Sequence, residues 1–389
     1  MRRTSLVSLG VGLAAAGVGA AIGTAAERLA VGRPLLSRGG DSRSGHHAEG
    51  QPLGALHSPP TPVTADDGTV LYAEVDEPDE PVDDLTVVFS HGYCLSLDSW
   101  HHQRAAFRGR YRMVFWDQRG HGRSQRGPED SANVDQLGRD LGRVIEATAP
   151  TGRLVLVGHS MGGMTVMSYA AHHTEEFGDR VIGAALLSTS SGGLSSVDFG
   201  LNRLGTAVQR LGPAALSLLA RRPGLVERGR RIGSDLEQVL VRRFSYVSDV
   251  DEELVRFTAD MIASTRIEVV SDFFPTFSAH DKREALAALD GIETLVLVGD
   301  DDLLTPADHS EDIVRLVPHA EHVVVRDGGH LVMLEHPEVV TPHLQALIER
   351  ARRSGARAGA GSGGDDDGGG RRRTVGRRRR PAAQDRRGR

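Results

Sequence analysis

The chain has 389 residues, of which 39% are hydrophobic, so it holds one large domain or two ordinary ones with a sizeable core. A single cysteine, Cys94, excludes an intrachain disulfide framework and a cysteine-based metal site. The net charge of −6 is unevenly spread: ten arginines face Asp385 alone between Arg371 and Arg389, which leaves −15 on the preceding residues.

The N-terminal segment, residues 1–31, opens with Arg2 and Arg3 and is then uncharged from Thr4 to Ala26. As a helix those roughly 23 residues would extend about 34 Å, enough to cross a bilayer core. Alanine and glycine dominate, and Gly19-x-x-x-Gly23 permits close helix packing. A single uncleaved membrane anchor fits this length best. A signal peptide, whose apolar core is usually about 7–15 residues, and a soluble leader are the competing readings. The chain is accordingly expected to be membrane-associated or secreted, with the cytoplasm as the remaining alternative. Residues 32–60 form a flexible linker that runs into Pro59-Pro60-Thr61-Pro62 at the domain boundary, and its His46 and His47 are a solvated pair rather than metal ligands.

From residue 61 to 350 the pattern becomes periodic. Asp66-Asp67-Gly68 marks a hairpin within Val63–Val75. Strands are predicted over Leu85–Phe89, Tyr111–Trp116, Leu154–Val157, Val181–Leu187, Thr294–Val298 and Glu321–Val325. Helices are predicted over Leu97–Phe107, Val134–Ala147, Met164–Ala171, Ala307–Leu316 and Pro337–Arg350. Such alternation implies an α/β fold with a mostly parallel sheet covered on both faces. The alternation stops between about Gly192 and Asp281. This stretch is helix-like and rich in aromatics (Phe199, Phe244, Tyr246, Phe257, Phe273, Phe274 and Phe277), and it reads as an inserted helical cap. About a third of those rings are expected to line a pocket and the rest to fill the cap's own interior. Residues 351–389 form a disordered tail with Asp365–Asp367 and two arginine runs. The tail reads as a solvated terminus, with attraction to anionic surfaces as the alternative; no specific nucleic-acid partner is predicted.

The chemistry concentrates where the strand Leu154–Val157 runs into Gly158-His159-Ser160-Met161-Gly162-Gly163 and then a helix. Strand, glycine-flanked serine and helix make a nucleophile elbow. The first amides of the helix, from Met161, suit a developing negative charge. A serine hydroxyl needs a base, and the base an orienting acid. Gly299-Asp300-Asp301-Asp302 follows one strand, and Asp327-Gly328-Gly329-His330 follows the last, giving the chain order serine, acid, histidine. Spacing alone does not choose among Asp300, Asp301 and Asp302.

At this point the chain, from about Thr61 to Arg350, resembles the α/β-hydrolase superfamily in its esterase, lipase and haloperoxidase-like branch. The resemblance rests on His91-Gly92-Tyr93, Asp117-Gln118-Arg119-Gly120-His121-Gly122-Arg123-Ser124, Gly158-His159-Ser160-Met161-Gly162-Gly163, Gly299-x-x-Asp302-x-x-x-Pro306 and Gly329-His330, in the family's order. It implies an α/β-hydrolase fold and a triad of Ser160, Asp302 and His330. It also implies an oxyanion hole made by the backbone amides of Tyr93 and Met161. Serine at the elbow argues against dehalogenase and epoxide hydrolase chemistry, which uses aspartate there. The loop after the first glycine motif looks most like the haloperoxidase-like enzymes, although Cys94 stands where many of those carry proline.

The expected function is cleavage of a carboxylic ester or related acyl bond in a mostly apolar small molecule. A slow ligand-sensing module, a thioesterase and a carbon–carbon bond hydrolase are the alternatives. His91 is expected to be structural, His121 a turn residue, and His159 to point away from the reaction. No metal is expected, since no cluster has ligand spacing, and no cofactor, since no dinucleotide fingerprint follows a strand.

Overall fold

A computed structural model describes residues 51–80, 84–194 and 234–361. The expected N-terminal anchor, most of the linker, the 195–233 part of the cap with Phe199, and the tail from residue 362 lie outside these.

The sheet follows from short runs of valine, leucine and alanine that are buried on both faces. Its strands are β1 (Val63–Thr64), β2 (Val70–Asp76), β3 (Leu85–Ser90), β4 (Arg112–Asp117), β5 (Arg153–His159), β6 (Val181–Leu187), β7 (Glu293–Gly299) and β8 (Glu321–Val325). They lie in the order β1-β2-β4-β3-β5-β6-β7-β8. β1 and β2 form the predicted hairpin, and β2 pairs antiparallel with β4. Every other pairing is parallel. Because side chains alternate along a strand, neighbouring residues serve opposite cores. Val87, Phe89, Val155, Val157, Leu295 and Leu297 face one core; Val88, Leu154, Leu156, Leu186 and Val296 face the other.

The flanking helices are α1 (His101–Phe107), α2 (Val134–Thr148), α3 (Met161–His172), α4 (Ser234–Ser245), α5 (Glu252–Ser264), α6 (Ile267–Ala279), α7 (Ala307–Leu316), α8 (Val332–Glu335) and α9 (Pro337–Gly361). α2 starts where the Asn133 side chain accepts from the Gln136 amide at 2.8 Å, and Leu141, Val144 and Ile145 pack on the sheet. The predicted Leu97–Phe107 helix is a 3₁₀ turn, Leu97–Trp100, followed by α1. α9 outruns its predicted end at Arg350. That side chain bonds Glu293 at 3.0 Å and Glu321 at 2.6 Å, and Ser354 bonds Glu293 at 3.0 Å, so the sheet edge supports the first turn of the extension.

Helices α4, α5 and α6 lie between β6 and β7 in sequence. The segment that carries them closes on itself: Gly192 and Asp281 form an antiparallel bridge, and the Lys282 amide donates to the Ser191 carbonyl at 2.7 Å. Its described aromatics divide between two jobs. Tyr246, Phe274 and the partly buried Phe257 join the core that holds Phe107 of α1, Phe273 and Phe277 pack against Met161, Leu137 and Val269, and Phe244 is buried as well. Among the described residues no helix is long and apolar enough to cross a membrane.

Candidate active site

Ser160 stands between β5 and α3 with φ 52° and ψ −118°, a region where a residue bearing a Cβ is strained by about 1–3 kcal/mol. The surroundings over-determine that conformation. The Ser160 amide donates to Leu187 O at 2.9 Å, and its carbonyl accepts from Thr189 Oγ1 at 2.7 Å and from the Gly163 and Met164 amides. The glycines are needed for close approach. A Cβ at Gly158 would strike the Gly162 carbonyl, and one at Gly162 would strike the Ser90 carbonyl of β3.

The two amides expected to form the oxyanion hole lie on separate elements. Met161 opens α3, and Tyr93 lies in the turn after β3, which Leu95 N closes onto Gly92 O at 3.2 Å. Among the described residues neither the Tyr93 nor the Met161 amide donates to a protein acceptor. The Tyr93 side chain reaches up to the inserted helices, its hydroxyl donating to Val270 O of α6 at 2.5 Å. Its ring meets Phe277 edge-on at 4.9 Å between centroids.

Asp302 and His330 come from the turns after β7 and β8, which pair in parallel register, so both side chains project from the same sheet edge. His330 Nδ1 lies 2.8 Å from Asp302 Oδ2 and 3.0 Å from Oδ1. An ionised carboxylate only accepts, so Nδ1 donates to it, and in the neutral imidazole that leaves the lone pair on Nε2. Asp302 Oδ1 also accepts from the Leu304 and Thr305 amides at 2.8 and 2.9 Å, and Oδ2 from Thr305 Oγ1 at 2.8 Å. Burial pushes the Asp302 carboxyl up, but neighbouring His330 and the Thr305 donors outweigh it and hold the group below its usual value. The adjacent aspartates are engaged elsewhere: Asp300 accepts from the Gly328 amide at 3.2 Å, and Asp301 is exposed.

The link from this pair to Ser160 is the histidine beside the nucleophile. His159 Nε2 donates to the His330 carbonyl at 2.9 Å, and the two rings lie 4.9 Å apart. Burial, then the nearby His330, push the His159 imidazole down to about 3, so it is neutral at physiological pH. Among the described residues, no hydrogen bond joins the Ser160 hydroxyl to His330. In unliganded sites such bonds are often long and tighten on substrate binding.

The other histidines have structural partners. His91 Nε2 accepts from the Gln118 amide at 2.9 Å while Nδ1 donates to Gly92 O at 2.7 Å. His121 Nδ1 donates to Arg119 O at 3.0 Å, and its ring packs against Tyr93 and Phe273. Burial holds both below the usual imidazole range, His91 at about 3 and His121 at about 4.

A family model described as alpha/beta hydrolase fold matches residues 86–337. The chain belongs to that family. This hydrolase is 30% identical over 293 residues to a non-heme chloroperoxidase of Streptomyces lividans, covering 74% of this chain and 99% of that protein. It is 24% identical over 276 residues to 3-oxoadipate enol-lactonase 1 of Acinetobacter baylyi, covering 71% of this chain and 92% of that protein. Among solved structures it is similar to a thermophilic esterase from Thermogutta terrifontis, with a TM-score of 0.59 at 25% identity, covering 76% of this chain and 99% of that one.

Three residues around the hydrolase's site escape sequence reasoning. Thr305 holds Asp302 through its amide and hydroxyl, an Asx-turn signal readable only once Asp302 is chosen. His159, expected to point away from the reaction, instead lies against the His330 ring and fixes its carbonyl. Glu335 accepts from the Gly329 amide at 2.5 Å and from a turn nearly ninety positions earlier in the chain, and no local pattern announces either.

Proposed function

We propose that this α/β-fold hydrolase cleaves a carboxylic ester or related acyl bond of a mostly apolar small molecule by covalent catalysis at Ser160. His330, oriented by Asp302, takes the Ser160 proton as the hydroxyl attacks the acyl carbon. The oxyanion is met by the Tyr93 and Met161 amides, and His330 passes the proton to the leaving alcohol. Water then enters by the same route and releases the acid. Preorganised donors of this kind are typically worth about 10²–10³ in rate each.

The observation that carries this reading is the strained Ser160 at φ 52°, followed by the unengaged Met161 amide, with a buried histidine–aspartate pair in the turns after β7 and β8. The apolar surroundings of Met161, Leu137, Val269 and Phe273 favour an apolar acyl group. The reading is tested with a serine-directed fluorophosphonate and short p-nitrophenyl esters. The protein labels and turns over, and Ser160→Ala abolishes both. Labelling that survives the substitution defeats the assignment. Ester turnover within about tenfold of Ser160→Ala favours a ligand-sensing module instead.

Perhydrolysis is the second reading. It is favoured by the similarity to the chloroperoxidase and by 37% identity over 128 residues to a bifunctional esterase/perhydrolase of Acinetobacter calcoaceticus. Hydrogen peroxide would replace water in the second step, and peracid formed from a carboxylate and peroxide distinguishes it. The N-terminal segment enters the same proposal as the tether that holds the enzyme at a membrane; deletion of residues 1–31 tests this by moving the activity to the soluble fraction.

A further inference from the structure

Glu335 is a buried carboxylate without an ion-pair partner among the described residues. It is held instead by four donors from two distant segments. Oε1 accepts from the Val247 amide at 2.6 Å, the Ser248 amide at 2.6 Å and the Ser248 hydroxyl at 2.8 Å, all in the turn between α4 and α5. Oε2 accepts from the Gly329 amide at 2.5 Å, next to His330. The Leu331 amide, on the other side of His330, donates to Ser245 O at 3.0 Å. Gly329 is pressed so close to this turn that a Cβ there would lie 2.7 Å from Ser245 O and 3.0 Å from Tyr246 Cα. With His159 holding the His330 carbonyl, the Gly329 amide, the His330 carbonyl and the Leu331 amide are each held from outside their own loop.

We infer that Glu335 is the positioning residue that registers the His330 loop against the α4–α5 turn, so that the seating of the inserted helices sets the placement of the general base. The inference rests on the serine-hydrolase reading above. A carboxylate serves because both of its oxygens must accept; a carboxamide accepts on one oxygen only. In Glu335→Gln the oxygen is drawn to the three donors at Val247 and Ser248, and the NH₂ group is turned against the Gly329 N–H. The substitution therefore breaks the tie to the catalytic loop and spares the tie to the turn. Misplacement of a reacting group by about 1 Å costs on the order of 10²-fold.

The test compares wild type, Glu335→Gln and Ser160→Ala on one p-nitrophenyl ester, with active sites counted by fluorophosphonate titration. In Glu335→Gln, kcat per titrated site is expected to fall about ten- to a hundredfold with KM within about twofold. Amide exchange at Gly329 is expected to accelerate while Val247 and Ser248 stay protected. A kcat per site equal to wild type overturns the inference, as does equal acceleration at all three amides, which marks a general loosening. If the glutamine variant does not fold, Glu335→Asp keeps the charge and shortens the arm by one methylene. The same fall in kcat at constant KM is expected, and an unchanged kcat overturns the inference. Activity retained in Ser160→Ala defeats the hydrolase reading itself, a result separate from either outcome at Glu335.

Discussion

Asp302 shows how little separates a catalytic carboxylate from its neighbours. Three consecutive aspartates follow β7, and their chemistry is identical in sequence. The turn distinguishes them, because it aims Asp302 at His330 and gives it the Leu304 and Thr305 donors, while Asp301 is left exposed. Ser160 was legible because an elbow needs its glycines, and glycine is visible in a sequence. Glu335 was not, because its partners are backbone amides, which every residue carries. Asp302→Asn preserves the shape but presents an NH₂ to Nδ1 and favours the wrong tautomer. We expect kcat to fall by about 10³–10⁴ with little change in KM, measured on the same ester. Thr305→Val removes one donor of four and is expected to cost about tenfold in kcat, since Asp302 keeps the two amides and His330.

Strands and helices were legible wherever apolar period and length agreed. β6, β8 and α7 fall at their predicted limits, and the remaining long elements shift by a few residues except α9, which runs on from Arg350 to Gly361. Short elements were not legible: α8 and the 3₁₀ turn Glu284–Leu289 are held by tertiary contacts and carry no period of their own. The order of strands in the sheet was not legible either, because parity along a strand tells which residues share a face and not which strand lies beside it. The join of β5 to α3 makes the sharpest prediction at this scale. Gly162 lies where α3 crosses the end of β3, so Gly162→Ala drives a methyl group into the Ser90 carbonyl. We expect a loss of about 3 kcal/mol or more in denaturant unfolding, as overpacking against backbone cannot be relieved by a rotamer change. Gly68→Ala is a different case, because its φ of 85° strains a side chain but nothing lies within 4 Å of the added atom, and about 1 kcal/mol is expected.

Across the whole molecule, pH dependence follows from groups that are buried neutral. His91 and His159 are pushed to about 3, and His121 and His280 to about 4, in each case chiefly by burial. An unfolded histidine titrates near 6.5, so between about 4 and 6.5 the unfolded chain binds more protons than the native one. The stability these groups contribute is fully present above pH 6.5 and is lost as pH falls towards 4. Asp117 opposes them, since burial raises its carboxyl to about 7 and its contribution falls as pH rises from about 4 to 7. Asp98, Asp140, Asp272 and His336 are also raised and act in the same sense as Asp117, while Glu74, Asp76, Asp135, Glu268 and Asp302 are held low and act with the four histidines, so the larger set favours the higher pH. Tm is expected to fall as pH is lowered from 7 to 4.5, with net proton uptake on unfolding measured by calorimetry in buffers of differing ionisation enthalpy. A flat or rising Tm over that range contradicts the buried neutral state.

The bridge between Gly192 and Asp281 has an architectural consequence. The chain leaves the sheet and re-enters it at abutting points, so whatever is strung between them contributes no span to the scaffold. An ancestor could exchange that whole excursion for one of another length while β6 and β7 stayed zipped at Gly183–Leu187. Among the described residues, a replacement must supply the Val247 and Ser248 donors for Glu335, the Ser245 carbonyl for the Leu331 amide and the Val270 carbonyl for the Tyr93 hydroxyl, which makes the excursion a plug-in cassette keyed at several points.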